Sequence, residues 1–253
     1  MGRKLVPAAL LMGAALLWCA QTSSAEAPLA DPAAAASAPA TAPADAPADT
    51  RTDVPTFDRL LGAFKGVRSL SAEFVQESRF AGFSTPRRFA GVVEIVRPGK
   101  MRWDYREGSN QQIYVNDREI VVHTPDMRQA ILSSLSPSSD RQIPIFLLAD
   151  VTRIGEAYWV KPGATSGQLV LTPRERDPQA PQQVLLDVGD DGLIRKVALE
   201  MPGGNQSEIT FSHQQVNPAI AASRFRFSAP PDTNVVRPEA AIGGGKSRGG
   251  KSR

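Results

Sequence analysis

FAGVVEIVRPGKMRWDY, residues 89–105, decides how the chain is read. Strand side chains alternate between two faces, so counting by twos from Phe89 gives Gly91, Val93, Ile95 and then Arg97. The residue before a proline is pushed toward extended geometry, so Arg97 keeps that alternation and a guanidinium ends the apolar side of the strand. Pro98-Gly99 forms the turn, with a composition that suits type II and glycine where positive φ is needed. On the way back Met101, Trp103 and Tyr105 oppose Arg102, Asp104 and Arg106. The stretch is a β-hairpin with one apolar face and a charge at its rim.

The same pattern extends outward. TFDRLLGAFKG, residues 56–66, places Phe57, Leu60, Leu61 and Phe64 on one helical face, with Thr56 as cap and Gly66 as stop. Short alternating runs follow, each bounded by Gly, Pro, Asn or Asp. They cover Phe74–Glu77, Phe89–Arg97, Met101–Tyr105, Ile113–Val115, Glu119–His123, Arg128–Leu132, Ala157–Lys161, Gln168–Thr172, Gln182–Val188, Leu193–Leu199 and Gln206–His213, with FRFSAPP (residues 225–231) as a last strand. Asn116-Asp117, Asp191-Gly192 and Gly203-Gly204 are the turns. Between residues 138 and 150, SSDRQIPIFLLAD carries Ile143, Ile145, Phe146, Leu147 and Leu148, a short helix apolar on most faces that something must bury. The expectation is a mainly β fold of about ten strands and a few short helices. A sheet that wide curls, and its concave side must be filled. There is too little helix to fill it, which predicts a part-empty apolar cavity with helices over its mouth.

The ends are of another kind. Residues 1–25 have two basic residues, an apolar run and Ser23-Ser24-Ala25, the pattern of an export signal cut after Ala25. Cys19 offers a rival lipidation site, but Trp18 stands where such signals want a very small residue. A cut after Ala25 leaves no thiol for a disulfide, a nucleophile or a metal. Residues 26–55 are an Ala/Pro/Asp-rich stretch with almost nothing to bury, read as a disordered linker, and residues 237–253 read as a disordered basic tail. Residues 56–236 are left as one domain. The net charge of +3 resides in the ends, since the signal and the tail are basic and the linker acidic. The domain itself is near neutral, which gives no reason to infer a nucleic-acid surface.

The search for chemistry is largely negative. His123 and His213 are far apart in sequence, each read as a surface or strand-edge residue, and form no metal-ligand pattern. There is no G-x-S-x-G elbow, and the Gly-rich stretches near 203 and 243 lack a phosphate loop's lysine and helix start. Glu94 and Asp104 could pair across the hairpin as glycosidase carboxylates, but their spacing reads better as a solvated face paired with Arg102 and Arg106. No enzyme, metal or cofactor is expected.

Binding remains. SLSAEFVQ, FAGVVEIVRPGKMRWDY, QQIYVNDREIVVHTPDMRQA, IPIFLLAD and FRFSAPPDTNVV resemble, in order and spacing, the LolA family of periplasmic lipoprotein carriers. The resemblance implies a half-open antiparallel β-barrel with a helical lid over an apolar cavity. It implies a monomeric periplasmic protein that takes lipoprotein acyl chains from an inner-membrane ABC transporter and delivers them to an outer-membrane receptor. In the family's Arg-Pro turn motif the matching residue is Arg97, which there helps hold the closed lid. Phe89, Val93, Ile95, Met101, Trp103 and Tyr105 would line the cavity, and Ile143, Phe146, Leu147 and Leu148 would form the lid helix. Without the resemblance, Met101, Trp103 and Tyr105 read first as plain core, and Arg97 reads first as a turn residue whose stem covers apolar surface while its head reaches water. A second role for such a fold is an anchored envelope lipid-binding or sensor protein, with the linker as spacer.

Overall fold

The computed structural model describes residues 54–116, 119–135, 148, 150–175, 177–178 and 180–237. The chain enters through helix α1 (Pro55–Lys65), which buries Leu60 and Phe64. Thr56 is not its cap. Val54 occupies that position with extended φ and ψ and no side-chain bond, and Pro55 opens the helix. Proline's fixed φ and missing N–H suit the first helical position, so it outcompetes the hydroxyl one residue later.

Twelve strands follow, β1 (Ser69–Arg79), β2 (Arg87–Val96), β3 (Lys100–Glu107), β4 (Gln112–Val115), β5 (Glu119–Thr124), β6 (Gln129–Ser134), β7 (Tyr158–Pro162), β8 (Gln168–Pro173), β9 (Gln183–Val188), β10 (Ile194–Glu200), β11 (Gln206–Val216) and β12 (Asn234–Val236). A one-turn helix, α2 (Ile154–Ala157), leads into β7. The strands form one sheet in the order β12-β6-β5-β4-β3-β2-β1-β11-β10-β9-β8-β7. Neighbours are antiparallel except β12, which lies parallel to β6. The opening hairpin pairs Val93 with Trp103 and Ile95 with Met101, as alternation requires. Gly99 takes the expected positive φ of 72°, and the Arg97–Pro98 peptide is cis. At Gly91 a Cβ would stand 2.1 Å from the Asp104 carbonyl oxygen and 2.9 Å from the Phe74 ring, so only glycine lets β3 and that ring close in.

One face of the sheet carries the core. Phe74, Phe89, Val93, Ile95, Met101, Trp103, Tyr105 and Phe211 of the central strands join Leu169, Leu171, Leu186 and Val197 of the far half, with Leu60 and Phe64 of α1 on top. Each such side chain contributes about 1.5–3 kcal/mol on burial. The rings meet edge to face, Phe74 at 4.7 Å from Trp103 and 5.0 Å from Tyr105. Beside them lies a polar seam. Tyr105 Oη donates to Gln76 Oε1 at 2.8 Å, and Gln76 Nε2 donates to Ser78 and Ser207, both at 3.1 Å. Gln76 and Ser78 are wholly buried.

The C-terminal segment departs from expectation. FRFSAPP is not a strand, because a ₃₁₀ turn (Ala222–Phe225) and an extended stretch replace it, and the last strand comes later as β12. Alternation in that stretch records facing without pairing, and its two prolines bring no N–H to a ladder. The segment crosses the outer face as a strap. Arg224 pairs with Glu94 at 2.7 Å and Asp104 at 3.2 Å, while Arg102 pairs with Asp104 at 2.8 Å and donates to the Arg224 carbonyl. Phe227 packs on Tyr114 and His123. Two readings are corrected here. Arg102 partners Asp104 as expected, but Arg224 takes the place foreseen for Arg106, which lies exposed. His123 is buried at 6 % exposure because the strap covers it. That burial lowers its pKa from the ordinary imidazole value.

Candidate functional site

The rim of the concave face is built where β2 ends. Arg97 follows Val96 with its side chain on the face of Val93 and Ile95, as parity predicts, and reaches across to α1. Its Nη1 donates to the carbonyl of Phe64, in the last turn of the helix, and to that of Val67 at 3.2 Å. Carbonyls at a helix C-terminus lack intrahelical donors and carry partial negative charge, so a guanidinium there is favourable twice over. Nη2 donates to Asp150 Oδ1 at 3.4 Å. The Phe64 ring lies 5.9 Å from the guanidinium carbon. The pair is partly shielded, with side-chain exposures of 18 % for Arg97 and 33 % for Asp150. Asp150 is itself fixed, since the same oxygen accepts from the Thr152 N–H at 3.2 Å and its hydroxyl at 2.6 Å.

Asn217 braces the same corner from the far side. Its Oδ1 accepts from the Arg68 N–H at 2.7 Å and the Ser69 N–H at 3.3 Å, and its Nδ2 donates to the Gly66 carbonyl at 3.0 Å. Sequence reading missed Asn217, and no signal within its own neighbourhood pointed to it.

Beneath this corner is a narrow apolar crevice of about 10 Å³, room for roughly one water molecule, lined by Phe64, Leu70, Ala72, Val93, Ile95, Leu148, Ile194, Phe211 and Gln214. Val93 and Ile95, two of the six residues expected to line a cavity, are at its wall. Phe89, Met101, Trp103 and Tyr105 sit deeper, packed in the aromatic cluster, with Trp103 Nε1 on Met101 Sδ at 2.7 Å. The expected part-empty cavity is thus a small crevice among the described residues, because the rings fill the curl of the sheet. Of the expected lid residues, Leu148 is buried at 7 % exposure against the crevice. Ile143, Phe146 and Leu147 lie outside the described residues. No group of metal-ligating side chains occurs among the described residues, and no helix among them is long and apolar enough to cross a membrane.

Residues 65–228 match the family model "Outer membrane lipoprotein carrier protein LolA". The chain belongs to the LolA family. LolA relatives include an outer-membrane lipoprotein carrier protein of Xanthomonas campestris pv. campestris, 28 % identical over 176 residues, covering 68 % of this chain and 83 % of that protein. Another, from Methylobacillus flagellatus, is 29 % identical over 182 residues, covering 71 % and 87 %. Among solved structures, a LolA superfamily protein from Nitrosomonas europaea aligns with TM-score 0.37 at 15 % identity, covering 64 % of this chain and 94 % of that one. The LolA match spans α1's last residue to the strap, so apart from Phe64 the Arg97 corner, the crevice and the outer ion cluster fall within it.

Proposed function

We propose that this protein is a periplasmic carrier for lipoproteins. It accepts acyl chains released by an inner-membrane ABC transporter, holds them against its concave apolar face and surrenders them to a receptor at the outer membrane. The observation that carries the reading is the Arg97 guanidinium spanning β2, the end of α1 and Asp150 directly above an apolar crevice. Shielding an acyl chain is worth about 0.8 kcal/mol per methylene, or on the order of 12 kcal/mol for a chain of roughly 15. A carrier must gain most of that and still release. Closure held by a few charged hydrogen bonds, each about 1.5–3 kcal/mol, meets both needs. On this reading α1 and the segment containing Leu148 move outward together when cargo enters, and Arg97 is the latch between them.

Native mass spectrometry of the protein from the envelope fraction tests the function. Depleting the receptor should enrich a species heavier by one lipidated protein. A single unladen mass under those conditions would refute the carrier reading.

A further inference from the structure

The corner that holds α1 is clasped from two sides, and the clasps grip different parts of the chain. The Arg97 side chain takes the helix itself, at the Phe64 carbonyl, and the Val67 carbonyl just beyond it. Asn217 takes the elbow between α1 and β1. Its amide accepts from the Arg68 and Ser69 N–H groups and donates to the Gly66 carbonyl. The sheet fixes Asn217 in turn. It follows β11 directly, its own N–H donates to the Ser69 carbonyl at 2.8 Å, and the buried Ser69 hydroxyl donates to the Pro218 carbonyl at 2.7 Å. Its φ of 58° is left-handed, a conformation asparagine adopts more readily than most side chains. Within the elbow Gly66 has φ −93° and ψ −8°, and beyond its chain neighbours an added Cβ would meet nothing nearer than the Ala63 carbonyl oxygen at 4.0 Å. Neither backbone angle nor packing demands glycine there, so what Gly66 supplies is a joint with few steric limits on rotation.

We propose that Asn217 is the pivot on which α1 swings, a positioning residue that holds the elbow in the closed and the open state alike while the Arg97 side chain lets go. The proposal rests on the carrier reading, in which α1 moves, and adds the point about which it turns. Bonds near the axis of a rotation change length least. The groups Asn217 binds lie at residues 66, 68 and 69, whereas Phe64 is on the moving side of the joint. From Arg68 onward the chain is tied into the sheet, since the Arg68 carbonyl accepts from the Arg97 N–H at 2.9 Å and the Ser69 carbonyl from Asn217. Opening therefore breaks the bonds of the guanidinium and spares those of the amide. In the closed state the same grip presents the Phe64 and Val67 carbonyls to the guanidinium.

Hydrogen exchange at the Arg68 amide, followed by NMR on the purified protein with and without N-phenyl-1-naphthylamine as an apolar probe, tests the pivot directly. In the wild type that amide should stay protected in both states. In Asn217→Gly, which removes the clasp and keeps the left-handed backbone, it should exchange several-fold faster. Titration with the same dye tests what the pivot does for the latch. Arg97→Leu should tighten binding tens of times in the wild type but only a few-fold in the Asn217→Gly background, a non-additivity that a merely stabilising residue would not produce. Asn217→Asp, which keeps the acceptor and loses the donor, should give back part of the difference. Unchanged far-UV circular dichroism checks that each variant folds. Loss of Arg68 protection when the dye binds would overturn the pivot, and so would equal Arg97→Leu factors in the two backgrounds, which leave the latch standing. A dye affinity that Arg97→Leu leaves unchanged in the wild type refutes the latch instead, and the exchange result then decides the pivot, so the two readings fail separately.

Discussion

Replacing Arg97 by leucine is the most direct probe of the latch. The substitution removes donors to the Phe64 and Val67 carbonyls and to Asp150 while keeping apolar bulk over the Phe64 ring. Charged hydrogen bonds contribute about 1.5–3 kcal/mol each. Solvent reaches both members of the Asp150 pair and its 3.4 Å separation is long, so that contact is discounted to under about 1 kcal/mol. The carbonyls also recover some water when the corner opens. A net loss of about 3 kcal/mol in closure remains, which changes the closed-to-open ratio on the order of 100-fold. A ligand that needs the open form binds with its intrinsic affinity divided by the closed-state penalty. Arg97→Leu should therefore bind an apolar fluorescent probe tens of times more tightly and hand cargo to a receptor correspondingly more slowly. Fluorescence titration and a purified transfer assay read the two effects, with far-UV circular dichroism as the folding check. Asp150→Asn, which keeps an acceptor, should change either quantity only a few-fold. Unchanged or weakened probe affinity in folded Arg97→Leu would refute the latch.

Two further perturbations address the frame around the site. Gln76→Leu strands the buried Tyr105 hydroxyl and leaves Ser78 and Ser207 only each other as partners, so urea denaturation should report a loss of about 1–3 kcal/mol, and no measurable loss would mean that the seam relaxes freely. His123 has a folded pKa below its unfolded value, because burial under the strap disfavours the cation. As pH falls through about 6.5 the unfolded chain binds the proton first. The contribution is thus complete above that value and lost on acidification down to the folded pKa. Thermal melts should fall over that window in the wild type and fall less in His123→Gln, whereas parallel curves would exclude the residue.

Facing was legible in the sequence and partnership was not. Strict alternation from Phe89 through Tyr105 fixed which side chains turn inward, Arg97 included, because strand geometry permits only two faces. The bonds Arg97 makes depend on where α1 ends and where Asp150 falls, and those are tertiary facts. The outer cluster shows the same limit. Glu94, Asp104 and Arg102 could be placed on one face by counting, yet Arg224, 120 residues after Asp104, arrives only because the chain returns across the sheet. His123 was read as a surface or edge residue for the same reason, since nothing local announces the strap above it. FRFSAPP shows that apolar alternation measures burial, and a strap that buries Phe225 and Phe227 against the sheet has the same pattern as a strand.

The parallel strand β12 has a consequence for how the molecule behaves in company. An open sheet leaves a row of unpaired backbone groups at each border, which invites another chain to add on. At one border the three residues of β12 pair with the first three of β6 and make an edge too short to extend. At the other, β7 is only five residues long and closes on Lys161 and Pro162, and proline has no N–H to offer a ladder. A carrier that opened its apolar interior on the proposed Arg97 latch would thereby be kept from joining its neighbours edge to edge and growing into a fibre.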